Sequence, residues 1–553
     1  MDMNKIFING LALLFGAGVS FTSCVDTDSS LVDFGPRLDS PNDTVYSFLG
    51  ILNKMQGIAD RTVILGEVRG DLVALTSSAT TDLQELAAFR AGTDNRYNSP
   101  SDYYAVIQNC NYYIAHADTT LSMRGEKVFI REYAAVKAYR AWTYLQLAIH
   151  YGKVPFFTQP LMTEIEADPS LYPKYGMEEI CNYFIEDLAP YVETDFPQLG
   201  SSFNNYFIPV RALLGDLCLW AGRYREAATY YHDFLTHVDN PRPLGQNSVS
   251  WNNKDFQSIS DGWVGMIYSS SSRLACIPME SSEYDGIVSG LDDIFMSTQD
   301  NKYYYQADGS AALAELSAAQ RYVMVYTDPA TQLPDTISPA DMTIDYADDR
   351  QKGDLRYFRT LQTTNSTGMD GFSERFLSNR KVSVSEIMTY RVASLYLRMA
   401  EAYNRAGLPE SAFAILKYGL YTDMINEHIS AAERSRAGNL LNWSQYEFDE
   451  TNTQGVHANG CGDTEADTLY VIPEGLADLN DSIRFVEDKI CDEMALELSF
   501  EGVRFGDLQR MALHRGEPEF LARKIAGRNG ESGFDTELYG RLCDKNNWYL
   551  PLE

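Results

Sequence analysis

Apolar positions along this chain recur mostly at the three- and four-residue spacing of helices, and the helices they predict come in pairs. Pro209 to Ala221 predicts a helix with proline in its first turn and Gly222 just past its end, where each residue fits best. Arg223 to Leu235 then predicts a second helix running back along the first. A similar pair follows Tyr396, with Pro409 opening its second member. Glu126 to His150 predicts a long helix, ended by Tyr151-Gly152 and Pro155, whose partner is Met177 to Val192 across a long loop. Val45 to Ile58 and Tyr103 to Ala117 supply a further pair, and Glu487 to Phe500 a late helix.

Within two of these pairs the residue types follow the tetratricopeptide pattern, with small residues where helices cross and aromatic rings in the gaps. In the first they are Leu214, Gly215, Cys218, Gly222, Tyr224, Ala227 and Tyr231, with Phe234 where the pattern has Ala. In the second they are Tyr396, Met399, Ala400, Tyr403, Gly407, Ala412 and Leu416. The spacing between pairs departs from a fixed period of about 34 residues, so the chain is not a simple solenoid. Residues 242–385 break the pattern with Gly, Ser, Asp and aromatics, and Trp263 to Tyr268 and Arg321 to Tyr326 alternate as strands would. The expected fold is mainly α: about four helix pairs form a scaffold over roughly 44–240 and 386–425. A loop-rich excursion (242–385), a few short strands, and an irregular and helical region (426–553) complete it. Long loops on a rigid frame are where binding residues concentrate.

The N-terminus predicts an address. Lys5, offset by Asp2, precedes an apolar stretch from Ile6 to Phe21. Phe21-Thr22-Ser23-Cys24 then has the small residues before cysteine of a lipoprotein signal, with Phe21 where Leu is usual. The expectation is that residues 1–23 are removed, Cys24 is acylated, and 24–553 form one unit. Each buried CH₂ of an acyl chain contributes about 0.8 kcal/mol, so two or three chains anchor a protein essentially permanently. No later stretch of about 20 apolar residues predicts a membrane-spanning helix.

Charge and chemistry narrow the function further. Asp and Glu number 77 against 45 Lys and Arg, a net charge of -32, which argues against nucleic acid and against docking on anionic lipid by charge. None of the eight cysteines sits in a CxxC pair, and no His/Cys cluster has zinc spacing, so no metal is expected. Cys110, Cys181 and Cys218 lie among apolar helix residues and are read as core. No phosphate loop, HExxH, GxSxG or complete EF-hand loop occurs, and the seven histidines are scattered, so neither a cofactor nor catalysis is expected. Two carboxylates suffice for glycoside hydrolysis, but a chain this acidic offers such pairs everywhere, and they carry no weight.

Four segments resemble the SusD/RagB family of nutrient-binding outer-membrane lipoproteins: Tyr139 to Leu145 running to Pro155, Arg211 to Tyr231, Tyr390 to Tyr403, and Glu493 to Arg510. Asp349-Arg350 to Arg356 and the closing Trp548 to Pro551 extend the resemblance over nearly the whole mature chain. The acidic run Val25 to Ser30 resembles the surface-export signal of Bacteroidetes lipoproteins. The resemblance implies four tetratricopeptide-like pairs acting as an extracellular lid on a SusC-like TonB-dependent receptor, with an oligosaccharide as cargo. A peptide cargo with the same fold and partner is the alternative; a surface glycoside hydrolase and a protein-holding scaffold are the readings of another class.

Glu497, Glu501, Arg504 and Asp507 are spaced to lie on neighbouring helical turns and are read as ion pairs. An oligosaccharide binder needs aromatic platforms flanked by polar groups. Trp142 and Trp220 lie in predicted helices and are read as core. The candidate platforms are Trp251, Trp263, Tyr268, Tyr284 and Tyr304, all in the excursion. The resemblance adds the segment before the second helix pair, from Asp71 to Tyr97, with Asp71, Asn95, Arg96 and Tyr97 as its candidates.

Overall fold

The computed structural model describes residues 41–197, 205–245, 248–342, 349–367, 373–449 and 453–552. The expected signal segment and Cys24 lie outside these residues. The frame consists of α1 (Pro41–Glu67), α2 (Pro100–His116), α3 (Ile130–Tyr151), α4 (Met177–Leu188), α5 (Val210–Trp220) and α6 (Tyr224–Leu235). It continues with α7 (Val392–Arg405), α8 (Pro409–Lys417), α9 (Leu479–Leu498) and α10 (Arg504–Arg515). From α1 to α8 each helix packs on the next, α9 covers α7 and α8, and α10 returns to α1. The predicted pairs are therefore present, and the fold is mainly α.

Residue size explains the crossings. A Cβ on Gly215 would lie 2.5 Å from Cε1 of Tyr231, so only glycine lets α6 place that ring against the α5 backbone. The Tyr231 hydroxyl then donates to Asp216 Oδ1 at 2.6 Å. Tyr390 and Arg398 donate to Asp216 Oδ2 at 2.6 and 2.7 Å, tying this pair to the next one. Cys110, Cys181 and Cys218 are buried, as expected of core residues, and are free thiols; burial pushes the Cys110 and Cys218 thiols up to about 12. At the α9–α10 turn Gly502 crosses Gly66 of α1 so closely that a Cβ on Gly66 would lie 1.8 Å from the Gly502 oxygen.

Some boundaries differ from the sequence expectation. Glu126-Lys127 pairs with Ser122-Met123 in a small hairpin, so α3 starts only at Ile130. Helix α9 begins at Leu479, where Asp478 accepts the Asn480 and Asp481 amides, and it stops at Leu498. Trp263–Ile267 is a short helix rather than a strand, because Trp263, Val264 and Ile267 share one buried face. At the second expected strand Met324–Thr327 pairs with Pro334–Ile337, and Val323 forms an isolated bridge to Gly462. Within 426–485, expected to be irregular, Ala431–Ala437 is helical.

The excursion is sewn to the frame at both ends. Strand β1 (Arg273–Pro278) runs antiparallel to β2 (Glu386–Arg391), which leads directly into α7, with Ile277 opposite Ile387. Ala307–Gly309 pairs with Val73–Leu75, next to α1. One continuous apolar core runs through the frame into the excursion. A smaller second core holds Val249, Trp251, Phe256, Trp263, Ile267 and Tyr322.

A knot of buried charge locks the excursion onto α9. Glu497 Oε1 accepts Arg391 Nη1 at 2.7 Å and Trp263 Nε1 at 3.3 Å; its Oε2 accepts Arg356 Nη1 at 2.7 Å and Asn459 Nδ2 at 3.1 Å. Arg391 also grips Glu501, and Lys381 pairs with Glu501 at 2.7 Å and donates to the Glu497 carbonyl at 2.6 Å. Arg356 pairs with Asp354 and with Glu493, each at 2.6 Å. Burial alone would raise the Glu497 carboxyl, but Arg391, Arg356 and Lys381 outweigh it and hold the group at about 2. Glu497, Glu501, Arg504 and Asp507 are thus ion-paired as expected, chiefly with partners on other elements. Phe500 and Gly502, both with positive φ, break the helix between them, and Asp507 pairs at i,i+3 with Arg510.

Trp251→Ala is expected to lower the unfolding free energy by about 3–5 kcal/mol, as for other buried tryptophans, measured by urea denaturation. An unchanged midpoint would show that the second core does not support the fold.

Candidate ligand-binding surface

A pair of exposed aromatic rings in the excursion is built on the turn from Thr298 to Tyr305. Thr298 Oγ1 donates to Asp293 Oδ1 at 2.9 Å, and Asn301 Oδ1 accepts the Thr298 amide at 2.9 Å. Asn301 Nδ2 donates to the Met296 carbonyl at 2.8 Å. Braced in this way, Lys302 and Tyr303 take φ of +54° and +67°, a left-handed conformation that costs a residue with a Cβ on the order of 1–2 kcal/mol. Strain of this kind persists where surrounding contacts over-determine it, and it gathers at functional sites. Its effect here is to turn Tyr303 and Tyr304 outward, 41% and 67% exposed. Tyr303 stands edge-on to Phe376, with ring centroids 4.9 Å apart.

The neighbouring strand supplies a polar margin. Thr76 Oγ1 donates to the Tyr305 carbonyl at 2.7 Å, its amide donates to the Gln306 carbonyl at 2.9 Å, and Ser77 and Ser78 follow it exposed. Tyr284, 96% exposed, sits on a second loop held to α1. There Gln56 donates to the Pro278 carbonyl at 2.8 Å, while Asp60 accepts Ser289 Oγ and the Gly290 amide, each at 2.7 Å. Both loops flank the short helix Leu291–Phe295.

Of the residues singled out from sequence, Tyr284, Tyr304 and Arg96 reach solvent, and the others are committed to packing. Trp251 and Trp263 are buried in the second core, and Trp263 donates its indole N–H to Glu497. Tyr268 is half-buried with its hydroxyl donating to the Lys381 carbonyl. These three rings support the excursion from beneath, a position that periodicity in a loop-rich segment does not reveal.

Asp71 is buried against Arg504, with oxygen–nitrogen distances of 2.6 and 2.9 Å. Burial works against its charge, and Arg504 outweighs burial, so the carboxyl stays below its usual range. Asn95 is buried, donating to the Asp82 carbonyl and Glu85 Oε2 at 2.9 and 3.0 Å, which makes it a turn brace. Tyr97 is buried beneath the Arg96 guanidinium, 4.7 Å from its ring centroid. The structure brings the tyrosine turn beside the start of the 71–97 segment through the Val73–Leu75 pairing, but it does not gather the nine candidates into one pocket.

Sequence reasoning passed over Ser77, Ser78 and Phe376, while Tyr303 stands in the run Tyr303-Tyr304-Tyr305 of the excursion. The bracing pair Thr298 and Asn301 was the only signal available, because the strand pairing that brings Ser77 close spans over 200 residues.

Asp354, His457 and Cys461 place ligand-type atoms within 4.8 Å of one another. Both Asp354 oxygens already receive the Arg356 guanidinium, and His457 Nδ1 meets Glu493 at 2.8 Å. A divalent ion would have to sit against that cation, so the trio reads as part of the charge knot.

Comparison with known proteins places this geometry. Residues 369–551 match the model of the SusD family. No curated protein sequence matches the chain. A SusD superfamily protein of Bacteroides fragilis superimposes with a TM-score of 0.56 at 16% identity, covering 93% of this chain and 96% of that one. One from Bacteroides thetaiotaomicron gives 0.54 at 14% identity, covering 92% and 96%. A SusD-like carbohydrate-binding protein of B. fragilis gives 0.52 at 13% identity, covering 87% and 88%. Residues 369–551 thus match the SusD family model, and the fold of the described chain is the one that these solved structures share.

Proposed function

We propose that this protein captures oligosaccharides at the cell surface and delivers them to a SusC-like TonB-dependent receptor of the outer membrane. In this reading residues 1–23 are removed, Cys24 carries the lipid anchor, and 24–553 act as one unit facing the cell exterior. The observation that carries it is the Tyr303-Tyr304 turn, in which a strained backbone holds two rings outward beside the exposed hydroxyls of Ser77 and Ser78. Sugar rings offer an apolar face and a hydroxyl fringe, and this surface offers the complement of both.

Magnitudes fit a carrier that must release its cargo. Each ring contributes about 0.5–1.5 kcal/mol beyond the area it covers, and each neutral hydrogen bond about 0.5–1.5 kcal/mol. A few of each give an affinity on the order of micromolar to millimolar. The carboxylates of the charge knot support binding without turnover. Asp354, Glu493, Glu497 and Glu501 are each tied to Arg356, Arg391 or Lys381 at 2.6–2.7 Å, which leaves none of them poised for proton transfer. Among the described residues no helix is long and apolar enough to cross a membrane.

Titration calorimetry against a panel of neutral oligosaccharides and peptides tests the cargo. The double variant Tyr303→Ala/Tyr304→Ala is expected to weaken oligosaccharide binding by about 5- to 150-fold with an unchanged Tm. Unaltered affinity, binding of peptides alone, or appearance of hydrolysis products would overturn the reading. Cys24→Ala is expected to move the protein from the membrane pellet to the soluble fraction; retention in the pellet would remove the anchor from the account.

A further inference from the structure

Between α6, the start of β1 and the first turn of α7 lies a cavity of about 490 Å³, within the range of about 300–1,000 Å³ typical of small-ligand pockets. Pro209, Phe234, Leu244 and Met266 give it an apolar side, while Asn205, Asn459 and the hydroxyls of Ser270 to Ser272 give it a polar one. It is separate from the tyrosine turn, with which it shares no lining residue.

Three guanidinium groups and one carboxylate line this cavity: Arg242, Arg273, Arg391 and Glu497. Arg391 and Glu497 neutralise each other within the charge knot, and Arg273 pairs with Glu386. Arg242 has no carboxylate partner among the described residues. In a chain where 77 acidic residues face 45 basic ones, a shielded cation left without an acid is unexpected on composition.

Arg242 is also held still. Its amide donates to the Leu235 carbonyl at 2.8 Å, and its own carbonyl accepts the Tyr396 hydroxyl at 2.8 Å. Nη1 donates to the carbonyls of Phe234 and Asn240 at 2.9 and 3.1 Å, and the guanidinium lies 4.1 Å from the Phe234 ring centroid. Nε and Nη2 make no hydrogen bond among the described residues, and they form the fork that matches a carboxylate with two parallel bonds. Burial lowers the group to about 10, which leaves it charged at neutral pH. The Val392 amide is taken by the Ser272 carbonyl at 2.8 Å, and the positive end of α7 adds its field to the same cavity.

We propose that this cavity is a second ligand site, which takes a small carboxylate-bearing molecule of about monosaccharide size with its carboxylate on Nε and Nη2 of Arg242. The apolar side then packs the body of the ligand, and the amides and serine hydroxyls meet its remaining polar groups. The site stands independently of the tyrosine surface, so either can fail alone.

Titration of the mature chain with D-glucuronate and D-galacturonate, with D-glucose as the uncharged control, tests it. Uronates are expected to bind and glucose not, with binding weakened by raised salt. Arg242→Gln is expected to lower uronate affinity by at least about tenfold. Ser271→Trp, an exposed lining position, is expected to block entry without a change in Tm, and this variant decides the matter should Arg242→Gln fail to fold. Tyr303→Ala/Tyr304→Ala should leave uronate binding intact. Uronates binding no better than glucose, or retained affinity in the folded variants, would overturn the proposal.

Discussion

Glu497 sits where three separately encoded parts of the chain meet, and its two oxygens bind all of them. Arg391 comes from the junction of β2 and α7, Arg356 and Trp263 from the excursion, and Asn459 from the segment before α9. A carboxylate taken fully out of water is tolerable only when its charge is matched and its lone pairs are filled. Here both conditions are met, and the ladder extends through Arg356 to Asp354 and Glu493 and through Arg391 to Glu501 and Lys381. Such a cluster contributes little net stability compared with a well-packed apolar substitute. What it supplies is exclusivity: any other placement of the excursion strands a charge in the interior.

The position of the ligand surface follows from that constraint. Helix pairs make a frame whose crossings depend on small residues such as Gly215, but nothing in the frame itself dictates where the excursion of residues 242–385 should lie. The charge knot fixes the deep side of the excursion, and the pairings of β1 with β2 and of Val73–Leu75 with Ala307–Gly309 fix its margins. Only with those anchors in place can the Thr298–Tyr305 turn hold Lys302 and Tyr303 in a costly backbone and keep two rings facing outward. Trp263, Arg391 and Glu497 of the same knot line the Arg242 cavity.

Helices were legible because their signal is local. The Gly215–Tyr231 and Ala400–Ala412 pairs declare themselves by spacing, and Pro209, Gly222 and Pro409 punctuate them within a residue or so. The excursion was not legible for the opposite reason. Trp263 to Tyr268 alternates like a strand, yet Trp263–Ile267 folds as a short helix whose apolar side chains meet a core shared with Val249 and Trp251 and with the distant Tyr322 and Leu355. The same distance defeats any reading of loop aromatics: Trp251 and Tyr304 look alike in sequence, and only long-range packing sends one inward and the other out. Glu497 and Glu501 were recognisable as ion-pairing residues, whereas their partners, over 100 positions distant, were not.

Hydrogen exchange in Glu497→Gln tests the account most directly. If the buried charge seats the excursion, the variant loses about 3–5 kcal/mol, because Arg391 and Arg356 are left buried and undercompensated. Exchange then speeds up selectively in residues 259–268 and 354–360, while α2 and α3 keep their protection. Wild-type stability, or a loss of protection spread evenly through frame and excursion alike, would contradict it.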